Sequence, residues 1–157
     1  MRAVLVLIAA ALLWLVPMQT ASAPQPIQGQ GSSPYCLFAV AGYLAGVDMW
    51  ELETAYHRQN LPTLGLTPTN THIFTLLQES YDVTLKGAKH KDWPAAKAAV
   101  QAGTPVGASG QGHAVVLLTW NDQGTILYLD SLRPGVVLSM NEKQFRAWSD
   151  GWYWWRR

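Results

Sequence analysis

The chain has 157 residues, 49% apolar and 13% charged, which suits one packed domain and argues against general disorder. Its net charge is +1, and without Arg2 the basic and acidic residues balance, so it lacks the excess of cations a nucleic-acid binder needs. A single cysteine forbids an intrachain disulfide and any metal site built from several thiolates.

Met1-Arg2 gives a short positive start, Ala3 to Val16 is apolar, Pro17 ends the run, and Ala21-Ser22-Ala23 offers small residues for cleavage. This is the layout of a secretory signal peptide over residues 1–23. The apolar run is about 14 residues, short of the roughly 20 that cross a bilayer. The expectation is therefore cleavage near Ala23, an exported domain over residues 24–157 (periplasmic or extracellular), and no stable membrane anchor afterwards.

Residues 24–35 are rich in Pro, Gly, Gln and Ser and read as an extended loop. Cys36 to Leu44 reads as a buried helix stopped by Gly46. A second helix runs from an Asp48 cap to Gln59, with Met49, Leu52, Ala55 and Tyr56 on one face. Residues 60–69 form a loop. Asn70 caps a helix to Ser80 that turns Ile73, Leu76 and Leu77 inward, and Val83 to Leu85 is a short strand. Asp92-Trp93-Pro94 opens a fourth helix, to Gln101.

Beyond Gly103 the apolar period shortens to that of strands. Strands are expected over Thr104–Ala108, Gly112–Trp120, Thr125–Asp130 and Val136–Met140, then a helix over Asn141–Trp148 and a closing strand over Trp152–Trp155. Helices first and an antiparallel sheet second is the α+β pattern. Four of the eight tryptophans lie in the last ten residues. Alternation predicts that some pack inside the sheet and others cover it, and a recognition surface is the competing use.

Cys36 stands where a loop meets a helix, and a helix N-terminus favours thiolate over thiol. His57, His72 and His90 sit among polar neighbours and read as surface residues, whereas His113 opens a strand. A tight two- or four-residue turn at Asn121–Gly124 sets Asp130 opposite Val115 and His113 opposite Leu132. His113 and Asp130 then share a face as diagonal neighbours. A carboxylate there can orient an imidazole toward a thiol, the logic of nucleophile, base and orienter. A turn one residue longer reverses the parity. Asp122 and Asp150 are the other candidate acids, both in surface turns. Gln30, six residues before Cys36, could pair its amide with the Cys36 N–H as oxyanion donors.

Gln30-Gly31-Ser32-Ser33-Pro34-Tyr35-Cys36, followed by Leu37-Phe38-Ala39-Val40, resembles the cysteine segment of papain-like proteases. His113-Ala114-Val115-Val116 and Ile126-Leu127-Tyr128-Leu129-Asp130-Ser131 resemble that superfamily's histidine strand and the strand bearing its orienting residue. The small size and the aspartate are similar to the compact bacterial branch that includes the double-glycine leader peptidases of bacteriocins. Ser33 replaces papain's structural cysteine, Leu37 its aromatic residue, and the glycine that follows the nucleophile in the leader peptidases is absent.

The resemblance implies a papain-like fold, with N-terminal helices packed on a C-terminal antiparallel sheet. It also implies a cysteine peptidase acting through a thioester: Cys36 as nucleophile, His113 as base, Asp130 as orienter and Gln30 in the oxyanion hole. The alternatives are a papain-like amidase or acyltransferase using the same residues, and a non-catalytic papain-fold binding module. A peptide or protein substrate, a monomer, no nucleic acid, no metal and no cofactor complete the expectation.

Overall fold

The computed structural model describes residues 26–29, 35–59, 61 and 70–157. The expected signal segment, its cleavage point and Gln30 lie outside the described residues. Helix α1 (Cys36–Ala45) is buried around nearly its whole circumference and ends at Gly46. Gly46 takes the left-handed conformation (φ 73°), and Val47 N–H closes onto Gly42 O at 2.9 Å. Helix α2 (Met49–Arg58) starts where expected, because the Asp48 carboxylate accepts from the N–H groups of Trp50 and Glu51. Helix α3 (Asn70–Tyr81) runs one residue beyond expectation and buries Ile73, Leu76 and Leu77.

Strand β1 (Leu85–Gly87) begins two residues later than expected, since Val83 N–H is bonded to Leu77 O at the end of α3. Helix α4 (Trp93–Gln101) is capped by Asp92, with proline in its first turn. Strand β2 (Val106–Gly110) also starts late. The N–H of Thr104 is engaged in closing α4, bonding Ala99 O at 3.0 Å. Strands β3 (His113–Trp120), β4 (Thr125–Leu129) and β5 (Val137–Asn141) follow. Helix α5 (Glu142–Trp148) is set by a reciprocal capping box between Asn141 and Gln144, and strand β6 (Tyr153–Arg156) closes the chain.

The described residues thus form an α+β fold with one antiparallel sheet in the order β1-β6-β2-β3-β4-β5. Helices α1–α3 pack with Ala114, Val116, Leu129 and Trp154 in one core. Helices α4 and α5 cover the other face over Val115, Leu117, Phe145, Tyr153 and Trp155. Burial on both faces explains why β3 is almost continuously apolar. It also explains the end of the chain: Trp154 and Trp155 are both buried, in opposite cores, and only Trp152, at 50% exposure, stands out. No helix among the described residues is long and apolar enough to cross a membrane.

Candidate active site

Cys36 is the first residue of α1, where N–H groups lack intrahelical partners and the helix dipole is positive. It is a free thiol, 8% exposed. His113 owes its place to a two-residue turn. Gln111 and Gly112 both have positive φ (49° and 75°), Gly110 pairs with His113, and the strands reverse in a type I′ hairpin. The strand accordingly begins at His113 and not at Gly112.

The β3–β4 turn corrects one sequence expectation. Gly124 N–H bonds Asn121 O at 3.0 Å, Gly124 has φ 78°, and Asn121 N–H bonds Thr125 O at 3.0 Å. The loop therefore has three residues, a turn followed by a left-handed glycine. At the turn, Trp120 pairs with Ile126 and Thr119 with Leu127. Continued regularly, that register would set Asp130 opposite Val116, on the wrong face for His113. A β-bulge between Leu117 and Thr119 takes up the extra residue, so that Leu117 pairs with Tyr128 and Val116 with Leu129. Asp130 returns to the face of His113, and the Asp130 carboxylate accepts from His113 Nε2 at 2.8 Å.

The same carboxylate oxygen accepts the N–H of Leu132 at 2.8 Å, and Arg133 N–H bonds Asp130 O at 2.9 Å. This Asx turn locks the orienting group from its C-terminal side. The Leu132 amide was not singled out from the sequence; its signal is an Asp placed at the start of a turn. With Nε2 committed to Asp130, Nδ1 is the imidazole nitrogen left for the Cys36 thiol, which acts on the His113 proton. His113 is pushed up to about 9 by the bond to Cys36 first and then by the bond and charge of Asp130, against the opposing effect of burial. The pair is partly shielded, with side-chain exposures of 20% for His113 and 15% for Asp130.

The other candidates fall elsewhere. Asp122 accepts from Gln101 at 3.1 Å and Asp150 from Ser109 at 2.6 Å. His57 faces Glu53, and His90 meets the Asp150 carbonyl. His72 Nδ1 is buried without a partner among the described residues. Gln30 itself is not described, but the residues just before it are pinned. Ile27 is buried in the α1 core, and Gln28 bonds both the Asp48 carboxylate and the Met49 N–H. At Gly29 a Cβ would sit 2.9 Å from Pro134 Cγ, in the loop that follows Asp130. Among the described residues no group of three or more His, Cys, Asp or Glu side chains could hold a metal ion.

No protein-family model matches the sequence, and no curated protein is similar to it in sequence. A solved structure is similar in fold: a double glycine motif protease from an AMS/PCAT transporter, in complex with the leader peptide. The TM-score is 0.59 at 12% identity, covering 87% of this chain and 94% of that chain. At that identity the likeness is one of fold, and the fold is the α+β, papain-like one.

Proposed function

We propose that this chain is a papain-type cysteine peptidase, exported and released from a signal segment near Ala23. The observation that supports the reading is the hydrogen-bonded pair His113–Asp130, with the Cys36 thiol at a helix N-terminus near enough to raise the imidazole. The raised His113 supports its role as proton donor to the leaving amine, because an imidazole that holds its proton up to about 9 is charged at neutral pH. The leader peptide held by the similar structure supports a polypeptide substrate.

In this mechanism the Cys36 sulfur adds to the substrate carbonyl carbon with the proton of the Cys36–His113 pair held on the imidazole, and the carbonyl electrons move to oxygen. The Cys36 N–H and the Gln30 amide stabilise that oxyanion. His113 gives its proton to the amine nitrogen as the C–N bond breaks, leaving a thioester. It then takes a proton from the water that attacks the thioester, and the acid and the thiol are released. Asp130 holds the ring throughout in the orientation that keeps Nδ1 toward sulfur.

The test is labelling of Cys36 by a peptide-mimicking epoxide, together with turnover of a mixed peptide library. Labelling is expected to slow by about 100-fold or more in His113→Ala, and turnover to vanish in Cys36→Ala. Labelling insensitive to His113, with no peptide cleaved by the wild type, would overturn the proposal and favour a binding module.

A further inference from the structure

Away from Cys36, at the β1 edge of the sheet, a groove of about 300 Å³ lies between α3 and β1, lined by Phe74, Thr75, Gln78, Leu85, Gly87 and Trp152 among others. Its wall is a free strand edge. Ala88 N–H bonds Tyr153 O at 2.9 Å and Arg157 N–H bonds Thr84 O at 3.0 Å, so residues 84, 86 and 88 face β6. By alternation the backbone groups of Leu85 and Gly87 point the other way, where they have no partner among the described residues.

Around this edge cations outnumber acids. Lys86, Lys89, Lys91, Arg156 and Arg157 are all exposed, five of the chain's 11 Lys and Arg, and none forms an ion pair among the described residues. The carboxylates of Asp92 and Asp150 are engaged, one capping α4 and the other bonded to Ser109. Glu79 and Asp82, both exposed, are the acids on the α3 side. Trp152 packs against His90 in a tilted contact, with ring centroids 5.0 Å apart, and remains half exposed.

Ser109 N–H bonds Trp152 O at 3.1 Å, and Ser109 pairs with Ala114, the neighbour of His113. Trp152 is thus two strands from β3, about 10 Å, a span that three extended residues cover.

We infer that this groove is a second recognition site for the polypeptide substrate, taking an acidic, apolar-containing segment as an added strand along β1. The inference rests on the peptidase reading for its choice of occupant. The free backbone edge selects a polypeptide over other polyanions, because strand addition needs alternating N–H and C=O groups. The lysines and arginines select acidic side chains, and Trp152 anchors an apolar one.

The test uses full-length protein carrying Cys36→Ala, so that binding is read without turnover. The probe is a fluorescein-labelled extended peptide of alternating glutamate and leucine, followed by anisotropy. Binding is expected to weaken with added salt, and roughly tenfold or more in Lys86→Glu/Lys89→Glu and in Trp152→Ala. Gly87→Pro is expected to cost roughly fivefold, the worth of one outward backbone hydrogen bond. It should fold, since a Cβ at Gly87 meets only Tyr153 O, at 3.7 Å.

Equal binding of the lysine-for-glutamate peptide would overturn the proposal. So would indifference to the charge reversal, which would leave the lysines merely guarding an edge against self-pairing. Binding of polyphosphate but not of the peptide would assign the patch to another polyanion and likewise defeat it. Because Cys36→Ala reports binding alone, failure here leaves the labelling test of the peptidase reading untouched.

Discussion

His113 lies between the Asp130 carboxylate and the influence of the Cys36 thiol, and its protonation is the most accessible readout of the site. The Cys36 bond is the larger cause of its raised pKa, so Cys36→Ala should lower it from about 9, measured by NMR titration of the imidazole. Folding linkage follows the same sign. A histidine raised from 6.5 to about 9 contributes stability that is fully present below pH 6.5 and is lost as pH rises through about 9. That alkaline loss should shrink in Cys36→Ala, seen in the pH dependence of Tm. The candidate residues could be named from the sequence because each sits at an element boundary with its own local signature, and the pairing of Asp130 with His113 followed from strand alternation. The approach of the thiol to the imidazole could not, since it depends on packing α1 on β3.

At the scale of elements, two hairpins decide where the chemistry-bearing side chains point. The Gln111-Gly112 turn places a non-glycine residue in the left-handed region, where asparagine is better tolerated and Asn-Gly is the favoured type I′ pair. Gln111→Asn should therefore raise stability by about 0.5–1 kcal/mol, read by denaturant unfolding, without moving His113. The Asn121–Gly124 turn was legible as a turn but not in its length. Two errors of register, a three-residue loop and a bulge, cancel so that His113 and Asp130 still share a face. Bulges carry no sequence signature of their own; they arise where turn geometry and two buried faces disagree. Helix starts were the most legible elements, because Asp48, Asp92 and Asn141 all act through local side-chain bonds to the first turn.

Across the whole molecule, stability comes from two cores on either face of one sheet. Phe145 is the hub of the second, with edge-on contacts to Trp93 and Trp120 and tilted ones to Trp148 and Tyr153. Phe145→Ala should cost about 3–5 kcal/mol, measured by thermal or denaturant unfolding. Cys36 lies in the other core, so labelling of the folded fraction should persist. Sequence alone determined the class of fold, the order of helices and strands, and the candidates for thiol, imidazole and carboxylate, since these depend on periodicity and on residues a few positions apart. Only the tertiary structure decided the register that aligns Asp130 with His113, the two helical layers that bury Trp154 and Trp155 on opposite faces, and the free, basic β1 edge beside Trp152. Each of those depends on which strands become neighbours, and strand order is set by contacts between residues far apart in the chain.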